Sequence, residues 1–132
     1  MRDAGSASRP SSVTAQRAQA AGPDQQAANP AAHPTNGLDD TVHQRHRLGI
    51  LTITAEARAE FGYLRGVLGL TPGNLSRHLT VLEEAGLIQV EKGYEGRRPS
   101  TWPKLTRAGR TALRHEIAAL ERLVLRLKGT EP

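Results

Sequence analysis

The stretch Leu70-Thr-Pro-Gly-Asn-Leu-Ser-Arg-His-Leu-Thr-Val-Leu-Glu-Glu-Ala-Gly-Leu-Ile88 decides how the rest of the chain is read. Thr71 is a good N-cap, Pro72 suits the first helical position, and Gly86 suits the left-handed stop after the last turn. Leu75, Leu79 and Leu82 repeat at the spacing of a buried helical stripe. The other edge carries Gly73, Asn74, Ser76, Arg77 and Thr80, all small or hydrogen-bonding, and no acid precedes Glu83 and Glu84 in the last turn. A helix whose free face is small, polar and cationic over its first turns suits insertion into a DNA major groove.

The residues that follow predict two strands around a turn. Ile88 and Val90 alternate with Gln89 and Glu91, the pattern of a half-buried strand. Gly93 and Gly96 punctuate the turn region, and Thr101, Trp102 and Leu105 supply the returning strand. Pro103 cannot donate a ladder hydrogen bond, so that strand should lie at an edge or end there. Arg97 and Arg98 fall at the tip, placed to hold phosphates or enter the minor groove. Lys92 and Arg107 are further candidates for phosphate contacts. Trp102 is read as packing of the hairpin on the core.

Upstream, a core helix is expected from Asp39 or Asp40 to about Ala57, since acids at a helix start complement its dipole. A short helix over residues 60–68 should turn Phe61, Leu64, Val67 and Leu68 inward. Gly69 and Leu70 then make a tight link, giving a helix-turn-helix. Downstream, Thr106 is the expected N-cap of a last helix. Its residues Leu113, Ile117, Leu120, Val124 and Leu127 are spaced four, three, four, three, a heptad seam over two repeats. Arg114, Glu116, Glu121, Arg122 and Arg126 lie off the seam. The first half of the seam is expected to pack on the domain and the outer half on a second copy.

Composition sets the bounds. The chain has 132 residues, a formal charge of +5 and no cysteine, which excludes disulfides, thiolate metal sites and cysteine nucleophiles. The first 37 residues hold only Met1 and Val13 as large apolar side chains. Residues 1–38 are therefore expected to be a disordered tail and residues 39–132 the folded domain. The tail's few arginines would suit a targeting peptide, but it lacks the apolar stripe of one. No run approaches the roughly 18 apolar residues of a membrane span, and a cytoplasmic protein is expected. His43 and His46, three apart, could share a metal, but without cysteines an exposed polar face is the plainer reading. No catalytic constellation, phosphate-cradling glycine loop or cofactor motif stands out, so an enzyme is not expected.

The run "LTPGNLSRHLTVLEEAGLIQVEKGYEGRRPSTWPKLTRAGR" resembles the winged helix-turn-helix transcriptional regulators of bacteria and archaea, closest to the small single-domain group related to the MarR and ArsR regulators. The resemblance covers about residues 42–124. It implies a mainly α fold with a small β-hairpin: a three-helix core, a two-stranded wing and a long C-terminal helix used for dimerisation. The recognition helix would be residues 71–85 and the wing tip residues 94–99. Pro103 departs from the pattern and puts the pairing of the second wing strand in question. On this reading the chain is a homodimeric, sequence-specific regulator of double-stranded DNA, and a repressor for want of a domain to recruit polymerase. Arg77 would read guanine through O6 and N7 or else hold a phosphate. Thr71, Gly73, Asn74, Ser76 and Thr80 would touch base edges or phosphates, and His78 would sit partly buried at the flank of the core stripe. The alternative is a winged-helix protein-interaction module without DNA contacts. No effector, operator or regulated gene is legible.

Overall fold

The computed structural model describes residues 33–129, and the greater part of the expected tail lies outside them. Four helices and one hairpin follow a short 3-10 turn at Pro34–Gly37: α1 (Arg45–Glu56), α2 (Phe61–Leu68), α3 (Pro72–Glu84), β1 (Ile88–Glu95), β2 (Arg98–Leu105) and α4 (Arg107–Gly129). The mainly α architecture with a two-stranded wing is as expected.

Local chemistry accounts for the helix ends. The Thr71 hydroxyl accepts the Asn74 N–H at 3.1 Å, Pro72 opens α3, and Gly86 follows it at φ +79°. The Glu60 carboxylate caps α2 by accepting from Gly62 N–H at 2.9 Å, and Gly69 closes that helix at φ +68°. Both glycines take the left-handed conformation that ends helices cheaply.

The start of α1 corrects the sequence reading. Asp39 does not open a helix; its carboxylate accepts from the N–H groups of Thr41 and Val42 at 2.8 and 3.3 Å and holds a turn. The cap is Gln44, whose Oε1 accepts from His46 and Arg47 N–H at 3.0 and 2.9 Å. Glutamine is not a favoured N-cap, so nothing local marked this boundary.

The core joins one face of each element. Ile50 and Leu51 of α1, Leu64 of α2, and Leu75, Leu79 and Leu82 of α3 meet Ile88, Leu105 and Leu113. Each such side chain contributes roughly 1.5–3 kcal/mol by leaving water. Val67 is a second correction: it was expected to point inward and is 55% exposed. Leu64 alone is buried on the eight-residue α2, with Phe61 and Leu68 half-buried beside it. A helix of two turns that rests on one side cannot bury all four apolar residues.

The expected boundary at residue 38 also moves. Pro34 is buried, and the 3-10 turn packs along α4, with Gly37 against Ala119 and Arg122. Glu116 of α4, which lies off the seam, is 1% exposed. Its carboxylate takes the Asp39 N–H at 3.3 Å and His43 Nδ1 at 2.5 Å. A buried carboxylate needs such partners, and the segment before α1 supplies them.

The hairpin runs in one register from Ile88↔Leu105 to Glu95↔Arg98, so Pro103 does not interrupt it. Gly96 and Arg97 form a two-residue loop with positive φ only at Gly96, the signature of a type II′ turn. From such a loop hydrogen-bonded pairs alternate with non-hydrogen-bonded ones. Pro99 and Pro103 both fall in the second class, opposite Tyr94 and Val90. Their missing N–H groups face away from the partner strand, and the ladder loses nothing. Trp102 is half-buried under the Arg58 guanidinium, 4.2 Å from its centroid, which ties the wing to the α1–α2 connector.

Thr106 locks the last helix to the end of α3. Its N–H donates to Leu87 O at 3.1 Å, its hydroxyl donates to Gly86 O at 2.7 Å, and the same oxygen accepts Gly109 N–H at 2.9 Å as the α4 cap. Gly109 permits the approach, because a Cβ there would run into the Leu87 carbonyl oxygen.

Candidate nucleic-acid interface

Helix α3 separates its two faces cleanly. Leu75, Leu79 and Leu82 are buried, while Gly73, Asn74, Ser76, Arg77 and Thr80 are all exposed, together with the cap Thr71. The Thr71 hydroxyl is engaged in capping Asn74 N–H. Asn74 Oδ1 in turn accepts from Arg77 Nη1 at 3.0 Å. This i,i+3 bond lays the guanidinium along the exposed face and limits its rotamers before any ligand arrives. Such a face offers amide and guanidinium donors, the hydroxyls of Ser76 and Thr80, and the first-turn N–H groups of a helix positive end.

The acids of α3 are held at its other end. Glu83 Oε2 accepts Val90 N–H at 3.3 Å, which fastens the last turn of α3 to β1. The wing leaves directly from there through Leu87 and Ile88. Lys92 is exposed on β1, Arg97 is the second residue of the turn, and Arg98 is the first of β2; both arginines are exposed. Among the described residues no carboxylate pairs with any of these cations or with Arg77; the acid–base pairs are His43–Glu116, Arg58–Glu91 and Lys104–Glu91. Arg107 is exposed at the start of α4.

His78 takes the flanking position expected of it and is partly buried. Its Nδ1 lies 3.2 Å from Arg47 Nη1, and its ring stands 5.6 Å from that of His46. Burial, then the charges of Arg47, His46 and Arg77, hold its pKa below the ordinary 6.5. A neutral ring that accepts from Arg47 satisfies both observations. Arg47 had no marker in the sequence; only the fold brings it to α3. His43 and His46 go to different partners, Glu116 and His78, and do not converge as a pair. No group of three or more metal-ligating side chains occurs among the described residues.

The seam on α4 divides. Leu113 belongs to the domain's own core, which removes it from any face offered to a partner. Leu120 is half-buried, whereas Ile117, Val124 and Leu127 are 40%, 48% and 61% exposed. Leu125, beside the seam, is 68% exposed. No helix among the described residues is long and apolar enough to cross a membrane.

Comparison with known proteins supports this geometry. A sequence profile of winged helix DNA-binding domains matches residues 46–124. Over 58 residues the chain is 43% identical to an uncharacterized protein of Methanocaldococcus jannaschii, a match covering 44% of this chain and 63% of that relative, so the chain spans just under two thirds of the relative's length. The structure of a transcriptional regulator homologue from Pyrococcus horikoshii OT3 superposes with a TM-score of 0.61 at 32% identity, over 66% of this chain and 87% of that one. A MarR family regulator from Streptomyces coelicolor, solved in complex with DNA, shares the fold at a TM-score of 0.58 and 21% identity, over 77% and 72% of the two chains. With its helix-turn-helix, paired-strand wing and profile match over more than half its length, the chain belongs to the family of winged helix DNA-binding domains.

Proposed function

We infer that the protein is a sequence-specific transcriptional regulator that acts as a homodimer on double-stranded DNA. Each subunit lays α3 in a major groove and its wing on the adjacent backbone or minor groove. The observation that carries this reading is the exposed face of α3. Three turns present donors and no carboxylate, with Arg77 already braced on Asn74. Arg77 reads a base edge, Asn74, Ser76 and Thr80 contact bases or phosphates, and Gly73 with Thr71 lets the helix start approach a phosphate. Arg97, Arg98 and Lys92 hold the backbone. The fold shared with a DNA-bound regulator and the likeness to the Pyrococcus regulator homologue support the reading.

The outer half of α4 pairs with a second copy through Ile117, Leu120 and Val124, with the seam running on to Leu127. Leucine and valine this exposed on one helix face are the raw material of an interface. Two subunits then ask for half-sites roughly 34–36 Å apart. The protein works by binding and not by catalysis, in the cytoplasm, and represses by occupying a promoter.

Binding of the full chain to duplex DNA at about 50 and about 200 mM salt tests this. A dimer making six or more phosphate contacts loses about 10³-fold or more in affinity across that range. Absent or salt-insensitive binding would overturn the reading and favour a protein-interaction module. Selection of bound sequences from random DNA should return a two-fold symmetric site.

A further inference from the structure

A recognition helix in a major groove lies between two phosphate strands, and the wing attends to one of them. Positions on α3 show what attends to the other. Ser76, Thr80 and Glu83 share one stripe of the helix, and Glu83 fastens that stripe to β1 and the wing. Asn74, His78 and Val81 share the stripe on the opposite flank, and His78 fastens it to the first turn of α1. Arg77 lies between the two.

At that second flank the charges are of one sign. Arg47 donates from Nε to Thr41 O at 2.6 Å, from Nη2 to Asp40 O at 3.4 Å and from Nη1 to His78. All three acceptors are neutral, so the guanidinium is fixed in place with its charge uncompensated. A guanidinium carries five N–H donors, which leaves two unclaimed here. The His78 ring, accepting at Nδ1, keeps an Nε2–H donor, and the His46 ring stands beside it. No carboxylate among the described residues lies within ion-pair distance of Arg47 or Arg77. A fixed guanidinium with no carboxylate partner and two free donors is suited to taking an anion.

We propose that His46, Arg47 and His78 form a second phosphate-binding shoulder, which takes the DNA strand on the side of the major groove opposite the wing. The proposal rests on the DNA-binding reading and adds a place and a set of residues to it. The helix, about 10–12 Å across, fills a groove about 12 Å wide, so a contact on each flank fixes both its depth and its roll. Arg47 is prepositioned by three hydrogen bonds and gives up little freedom on contact.

The test uses the full chain, its selected duplex and the variants Arg47→Gln and His46→Gln, with thermal melting to confirm folding. His46→Gln breaks no side-chain hydrogen bond of the free protein and guards against a folding defect in Arg47→Gln. Arg47→Gln removes one contact from each subunit of the dimer and should lower the salt slope by about 1.8, so that the affinity lost between about 50 and 200 mM salt shrinks about 12-fold. His46→Gln should weaken binding at low salt and leave the preferred sequence unchanged. An uncharged methylphosphonate placed singly along the strand distal to the wing should weaken wild type at one position and leave Arg47→Gln unaffected there. A wild-type salt slope in Arg47→Gln and wild-type affinity in His46→Gln, with Arg97→Ala/Arg98→Ala still altered, would overturn the shoulder and leave the DNA reading intact. No duplex binding by wild type would overturn both.

Discussion

Replacing Gly109 with alanine should destabilise the protein, against the ordinary sign for a glycine inside a helix. On an open helix surface the change stabilises by about 1 kcal/mol, since glycine loses more backbone entropy on folding. Gly109 is not on an open surface. Its missing Cβ would meet the Leu87 carbonyl oxygen and carbon and lie 2.7 Å from Leu105 Cδ1. The nearest obstacle is backbone and cannot swing aside. Relief requires α4 to lift from the α3–β1 junction, which strains the Thr106 bonds to Leu87 and Gly86. Overpacking of this kind costs about 1–3 kcal/mol beyond the propensity gain. For a folded unit of this size each kcal/mol moves Tm by about 4–8 °C, so Gly109→Ala should melt roughly 4–24 °C lower. Gly66→Ala is the control of opposite sign: it also lies within a helix, but a Cβ there meets nothing within 4 Å. It should gain about 0.4–1 kcal/mol. Thermal and urea unfolding of the two variants would decide the matter. A Gly109→Ala protein as stable as Gly66→Ala would refute the close packing of α4 on Leu87.

Arg77→Ala should relax sequence preference while nonspecific binding largely persists, measured as the affinity ratio of selected to random duplex. Arg97→Ala with Arg98→Ala removes two contacts from each subunit of the dimer; it should weaken binding evenly across sequences and lower the salt slope by about 3.6, a response about 150-fold smaller between about 50 and 200 mM. Ile117→Asp or Leu120→Asp should convert a dimer to monomers by light scattering; a wild type that is itself monomeric removes the dimer. Because His78 has a lowered pKa in the folded protein, the unfolded chain binds its proton more readily, so stability falls as pH drops through 6.5 toward the folded value. His78→Gln should flatten that part of the acid limb in pH-dependent melts.

Sequence and structure agree best where the controlling interaction is local. Thr71, Pro72 and Gly86 bound α3 by chemistry acting within a few residues, and both ends were legible. The leucine stripe and the exposed polar face follow from one helical period. The misreadings share the opposite character. Asp39 looked like a helix start because acids favour that end, yet its carboxylate serves a turn and the cap is an unremarkable glutamine. Glu116 lies off the apolar seam, and nothing in that spacing marks it as buried. Its burial depends on His43 and Asp39, more than seventy residues away, and no spacing rule reaches that far. Val67 kept a helical apolar period but found no wall to pack on. Pro103 raised a question about pairing that a two-residue turn at Gly96 resolves, since the loop length fixes which pairs need an N–H. Arg47 lies outside every motif and became visible only once α1 crossed the flank of α3.

On the DNA-binding reading, α3 and the wing engage the same duplex. The most direct measurement is amide chemical-shift mapping of the full chain during titration with its selected DNA. Asn74, Ser76, Arg77 and Thr80 should shift together with Arg97 and Arg98 at one stoichiometry, while Ile117, Leu120 and Val124 stay unmoved. Shifts confined to α4, or a wing that responds while α3 does not, would contradict it.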